Sequence, residues 1–128
     1  MNVENIIVEG DVTYVIDKTS NIYFAKYMGD EEIYTIPQNV SYVGSYAFYA
    51  NKTIKIINVP TSVLGIMERA FYTDPRSIVV FDSNKLPNDL SANWYLGCDY
   101  YLNVDKTIIT DEYIYVINKN NDAYLARY

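Results

Sequence analysis

The chain has 128 residues, with 16 Asp and Glu against 10 Lys and Arg and no histidine, which gives a net charge of −6 at neutral pH. No basic stripe exists to neutralise phosphates, so nucleic acid and anionic membranes are not expected partners. The missing histidines remove the usual general base and the commonest metal ligand, and Cys98, the single cysteine, can form no internal disulfide.

The N-terminus, Met1-Asn2-Val3-Glu4-Asn5, lacks the basic start and apolar core of a signal peptide. No apolar run approaches the ~18 residues of a membrane span, so no membrane insertion is expected. Next comes a block that the chain uses twice. Asp11-Val12-Thr13-Tyr14-Val15-Ile16-Asp17-Lys18 returns as Glu112-Tyr113-Ile114-Tyr115-Val116-Ile117-Asn118-Lys119. Tyr23-Phe24-Ala25-Lys26-Tyr27 returns as Tyr124-Leu125-Ala126-Arg127-Tyr128, at the same offset of 101 residues. Each copy predicts a hairpin of two strands around a polar loop, 17–21 and 118–122, because Asn, Asp, Ser and Thr between β-rich runs signal a turn. The run Asp30-Glu31-Glu32 has neither the alternating ligands nor the glycine of a calcium loop and reads as a solvated edge.

A second repeat follows. Ile36-Pro37-Gln38-Asn39-Val40 through Ala47-Phe48-Tyr49 is answered by Val59-Pro60-Thr61-Ser62-Val63 through Ala70-Phe71-Tyr72. The offset is 23 residues throughout, and Val43 falls on Ile66. A period in the low twenties is the length of one leucine-rich-repeat coil, which contributes a strand and a return segment. One coil cannot bury its own apolar face, so stacking is required. The β-branched runs Ile33–Ile36 and Ile54–Val59 predict strands that end at the prolines. Parallel stacking then places Phe48 over Phe71 in an interior column. Asn39-Val40-Ser41 and Asn51-Lys52-Thr53 match glycosylation sequons, which an Asn- and Thr-rich chain supplies by chance. In segment 85–101, Trp94 is expected as a buried plug over the last coil, the alternative being an exposed ligand platform.

The pattern Ile-Pro-x-x-Val-x-x-Ile-Gly-x-x-Ala-Phe, carried by residues 33–81, resembles the BspA-type leucine-rich repeats of bacterial and some protist surface proteins. The first copy is complete, with Val43-Gly44 at the Ile-Gly position; the second has Ile66-Met67 there. Hairpins often precede such repeats in that family, and segment 85–101 resembles the phrase that closes a run, without a further Trp near Leu90. The resemblance implies a mainly β chain, a short leucine-rich-repeat solenoid of few coils with parallel strands, flanked by β-hairpins. Its segments would be 1–29, 30–104 and 105–128, one full module and the opening hairpin of a next one. An extracellular or cell-surface location is implied as well.

Catalysis is not expected. Carboxylates are plentiful and a glycosidase needs only two, but nothing in the pattern sets a pair across a cleft. No cofactor and no metal are expected. Two functions remain: a module that binds a macromolecular ligand, such as a host or matrix protein or a glycan, through its exposed strand face, or a structural spacer with no ligand of its own. In the strand Ile54–Val59, alternation points Ile54, Ile57 and Val59 inward and Lys55, Ile56 and Asn58 outward, with Tyr34 and Val79 nearby. Tyr34, Lys55, Ile56 and Asn58 are the candidate ligand-binding residues, since contiguous exposed apolar area marks interaction sites. The competing expectation is that the flanking hairpin covers them.

Overall fold

The computed structural model describes residues 3–127, and all its regular elements are strands. The chain opens with an antiparallel meander of β1 (Val3–Glu9), β2 (Val12–Asp17) and β3 (Ile22–Tyr27). It then winds into coils in which a longer strand alternates with one of two residues: β4 (Ile33–Thr35), β5 (Tyr42–Val43), β6 (Ile56–Val59), β7 (Gly65–Ile66), β8 (Ser77–Phe81), β9 (Asp89–Leu90) and β10 (Cys98–Tyr101). A second meander closes it, with β11 (Val104–Ile109), β12 (Ile114–Asn118) and β13 (Ala123–Arg127).

Three sheets result. The first runs β1-β2-β3-β5-β7-β9, the second β10-β8-β6-β4, and the third β11-β12-β13. Within the second sheet β4, β6 and β8 are parallel, with Tyr34 opposite Ile57 opposite Val79 and Ile33 opposite Ile56 opposite Ile78. The strands that end at the two prolines are therefore adjacent and parallel, as the repeat requires. Each proline stops a strand because its nitrogen has no proton for the ladder. The chain then crosses to the first sheet, turns a corner after β5, β7 or β9, and comes back.

The main core lies between the first and second sheets. Phe24, Val43 and Ile66 come from one side and Ile57, Val79 and Phe81 from the other. Phe48 and Phe71 pack with ring centres 5.8 Å apart and planes tilted by 33°, and the column continues to Phe24, whose ring lies 5.3 Å from that of Phe48 and nearly parallel to it. Trp94 is buried against Phe81 and Tyr100, in the position of the expected plug. The coils approach closely at Gly65, where a Cβ would lie 2.8 Å from the Asp89 carbonyl oxygen and from the Tyr42 ring. A side chain at that point would push two neighbouring strands apart.

Both sequence offsets reappear in the backbone. Ser20 and Asn121, 101 residues apart, have φ of 66° and 68°; Tyr46 and Arg69, 23 apart, have 58° and 48°. The duplicated block is larger than two strands, however. Each copy is a three-stranded meander, because β1 and β11 pair with β2 and β12 in the same register. The bulge between Val3 and Asn5 returns between Val104 and Lys106, and that between Thr13 and Tyr14 returns between Ile114 and Tyr115.

The two meanders occupy different places. The first continues the solenoid edge to edge, since β3 pairs in parallel with β5. The second lies face-on over the second sheet, where Val104, Ile114 and Val116 meet Ile56, Ile78 and Val80 in a separate core. Its hold is partly ionic. The Arg127 guanidinium donates to Asp99 Oδ2 at 2.7 Å and to the Arg76 carbonyl at 2.6 Å, while Arg76 donates to Asp99 Oδ1 at 3.2 Å. Lys119 Nζ reaches Asp82 Oδ1 at 3.1 Å.

Both kinds of contact are open to test. Phe71→Ala should lower stability by about 3–5 kcal/mol, the range for truncating a buried Phe; a shift within the noise of a denaturant titration would mean that the column does not carry the coils. The ionic contact should respond to acid. Partial burial works against ionisation of Asp99, but the hydrogen bond from Arg127 and the charges of Arg127 and Arg76 outweigh it and hold its carboxyl below the usual value. A carboxyl depressed in the folded state stabilises above its unfolded pKa, about 3.9, and loses that contribution as pH falls through the folded value. Amide exchange in β13, corrected for intrinsic rates, should therefore accelerate as pH drops from about 5 to about 3, and Asp99→Asn should flatten that response. An unchanged acid response in the variant would place the sensitivity elsewhere.

Candidate functional site

The structure separates the four expected ligand residues. Tyr34 turns inward: the 23-residue offset puts it in line with Ile57, and its ring packs on Tyr27 at 4.3 Å, Phe24 at 5.8 Å and Phe48 at 6.2 Å. Burial, with the neighbouring Tyr14, Tyr27, Glu31 and Asp11, pushes its hydroxyl up to about 12. Val79 is inward for the same reason of register. Ile56 does point away from the main core, but the second meander covers it and leaves it 0% exposed. The expected apolar strand face is thus not free. The apolar side chains that the alternation turned outward are those that anchor the third sheet.

Lys55 and Asn58 reach the surface on opposite sides of that anchor. Lys55 Nζ pairs at 2.7 Å with Glu32, a member of the acidic edge 30–32. It lines a cleft of about 220 Å³ with Lys52, Arg76, Tyr113 and Arg127. Asn58 Nδ2 donates to Thr35 Oγ1 at 3.1 Å and lines a different cavity of about 310 Å³ with Gln38, Val80 and Lys106. The two side chains do not share a site.

An exposed surface does exist at the corner that follows the short strands. Tyr46 and Tyr49 follow β5, Tyr72 follows β7 and Tyr95 follows β9, and all four rings are exposed. Tyr46 and Tyr49 meet edge to face at 5.4 Å, and Tyr49 leans on Tyr72 at 5.9 Å across one coil step. Arg69 Nη1 donates to the Tyr46 hydroxyl at 3.1 Å; Lys26 Nζ donates to the Tyr49 carbonyl at 2.9 Å and sits 6.0 Å from its ring centre. This corner is a strip of hydroxylated rings with a cation at two points. The signal was present in the sequence, because Tyr49 and Tyr72 end the repeated Ala-Phe-Tyr triplet. Both belong to the period, but only Ala and Phe face the core.

Other polar groups have local employment. Asn51 Oδ1 accepts from the Thr53 and Ile54 amides and its Nδ2 donates to the Gly29 carbonyl, so this sequon asparagine shapes the turn before β6. Cys98 is buried, its Sγ donates to the Tyr95 carbonyl at 3.3 Å, and burial pushes the thiol up to about 12. Among the described residues no three His, Cys, Asp or Glu side chains converge as a metal ion would require.

This fold has counterparts among solved structures. A leucine-rich repeat protein from Bacteroides capillosus ATCC 29799 matches 77% of this chain and 99% of its own, with a TM-score of 0.53 and 16% identity. A leucine rich cell surface protein from Faecalibacterium prausnitzii A2-165 matches 99% of this chain and 62% of its own, at a TM-score of 0.39 and 13% identity. No protein-family model and no curated protein matches the sequence. The likeness to the first structure and the parallel coils agree on the class: the chain has the leucine-rich-repeat fold, a short β-solenoid flanked by antiparallel sheets.

The burial of Ile56 changes what its substitution would do. Ile56→Asp should not remove a ligand contact; it should place a carboxylate under the second meander, where an unpaired buried charge is strongly disfavoured. Loss of stability by several kcal/mol, or release of residues 104–127 as seen by limited proteolysis, is expected. A variant with wild-type stability and protease resistance would show that the third sheet does not rest on Ile56.

Proposed function

We propose that this chain is a non-catalytic leucine-rich-repeat module that meets a macromolecular ligand, a host or matrix protein or a glycan, through its tyrosine corner. The observation that carries this is the exposed strip of Tyr46, Tyr49 and Tyr72 beside Lys26 and Arg69. A tyrosine ring offers an apolar body and a hydroxyl at little cost in conformational freedom, which is why tyrosine and arginine are favoured at recognition surfaces. A strip of exposed rings encloses too little of a small molecule and suits an extended partner. A bacterial surface location belongs to the same reading and rests on the repeat's resemblance. One observation favours the spacer instead: the apolar outer face of the second sheet is already occupied by the chain's own meander.

A multimerised form of the chain, screened against matrix proteins and glycans, tests the proposal, since a single short module gains affinity through avidity. Replacing Tyr46, Tyr49 and Tyr72 together with Ser should weaken a detected interaction by about tenfold or more while shifting stability little, as exposed positions do. Binding that survives the replacement would move the site away from the corner. A screen with no binder would leave the spacer as the better reading.

A further inference from the structure

The third coil breaks the period at one place. Thr35, Asn58 and Val80 are partners across the second sheet, and Tyr42, Gly65 and Asp89 are partners across the first. The chain takes seven steps from Thr35 to Tyr42 and seven from Asn58 to Gly65, but nine from Val80 to Asp89. The two extra residues fall in the turn 82–88, and a cleft of about 370 Å³ opens between that turn and the Pro60 turn of the second coil. The longer turn is pinned at its base. Lys119 Nζ donates to the Asp82 carbonyl at 2.7 Å and pairs with Asp82 Oδ1 at 3.1 Å, and the Asn103 amide donates to the Ser83 carbonyl at 2.8 Å. A cleft whose rim is already held costs little further ordering when a ligand enters.

Its walls combine an aromatic ring with hydrogen-bonding groups. Tyr42 stacks on Tyr23 with ring centres 4.9 Å apart and planes within 20°, which fixes the ring from the β3 side. On its other side lies Gly65, where a Cβ would fall 2.8 Å from the ring; with no side chain there, Tyr42 leans over β7 toward Asp89 of β9. Asn88 and Asp89 are exposed along the opposite wall, and no side-chain hydrogen bond or ion pair engages either among the described residues. The charge of the cleft nearly cancels. Lys119 neutralises Asp82, which leaves Lys85 and Asp89 as one charge of each sign. Such a balance favours neither a phosphate nor a cation over an uncharged ligand.

We propose that this cleft binds a neutral sugar unit, such as the free end of a glycan. A pyranose ring presents C–H groups on one face and hydroxyls around its rim, so it needs an apolar plate and acceptors beside it. The Tyr42 ring takes the C–H face. The Asp89 carboxylate accepts from hydroxyls in charge-assisted hydrogen bonds, and the Asn88 amide both donates and accepts. The volume is that of a small-ligand pocket and suits one or two sugar rings. The cleft lies before the short strands and the tyrosine corner lies after them, so either site can fail without the other.

The test titrates the isotopically labelled full chain with the methyl glycosides of glucose, galactose, mannose and N-acetylglucosamine, following amide shifts by NMR. Sodium phosphate and N-acetylneuraminic acid serve as charged probes. At least one glycoside should shift the amides of Gly65, Asn88 and Asp89 saturably, with a dissociation constant on the order of 1 mM for a single sugar in an open cleft. Asn88→Ala and Asp89→Ala alter exposed side chains, so each should keep the spectrum of the folded chain and weaken binding by about tenfold or more. Should Asp89→Ala disturb β9, Asn88→Ala, outside the strands, decides alone. Replacing Tyr46, Tyr49 and Tyr72 with Ser should leave the response unchanged. Shifts that never saturate, that map to the tyrosine corner or that survive the substitutions would overturn the assignment. Silence from all four glycosides would overturn it too, and a tighter response to either charged probe would refute the neutral sugar as the ligand class.

Discussion

Parallel pairing in register is the constraint on which the other features of this molecule depend. When β4, β6 and β8 align residue for residue, alternation along one strand becomes alternation along all of them. Tyr34, Ile57 and Val79 then form one inward row, and Ile33, Ile56 and Ile78 form one outward row. A slip of a single residue would exchange the rows. It would expose the side chains that fill the main core and strip the second meander of its footing. The short strands of the first sheet, two residues each, could not fix this register alone. The longer strands and the Phe24–Phe48–Phe71 column fix it for them.

Much of this was legible because repeats convert local sequence into long-range contacts. The offset of 23 predicted the pairing of the proline-terminated strands and the phenylalanine column, and the offset of 101 predicted two equivalent units. The same offset of 23 already placed Tyr34 on Ile57, so its inward orientation could have been read; taking it as outward followed proximity rather than register. The third strand of each meander was less visible. Across β1 and β11 only Val3/Val104 and a few β-branched positions correspond, because a strand exposed on one side in one copy and covered in the other tolerates different residues. The third coil also drifts. β7 and β9 pair Gly65 with Asp89, a spacing of 24, and the Ala-Phe-Tyr triplet gives way to Asn93-Trp94-Tyr95. The cover over Ile56 was beyond a periodic reading. It depends on where a block some fifty residues further along comes to rest, and the hydrophobic pattern states only that something must cover it.

The meander is a layer with two apolar faces, and that explains why the same unit can serve at both ends of a coil stack. Its Tyr14/Phe24 face begins a stack, and its Val104/Ile114/Val116 face lies on the back of one. A surface that serves as an interlayer contact has little freedom to diversify, because each change must suit two partners that pack to interior density. The strand face is therefore a poor place for a ligand site in this architecture, whatever its exposure in an isolated strand.

The corner and the proline turns are under a different constraint. They lie where the chain passes between sheets, so a side chain there can change without disturbing register. Tyr46 and Tyr49 touch each other, Tyr49 touches Tyr72 in the next coil, and Arg69 reaches back to the Tyr46 hydroxyl. Neighbouring coils thereby build one surface, although no coil contributes more than two of its rings. Adding coils would lengthen such a strip by one step each, while the same addition buries the apolar faces that stacking demands. In a solenoid of this kind the interactions that hold the fold and those free to recognise a partner grow together, along the same axis, from different sides of each repeat.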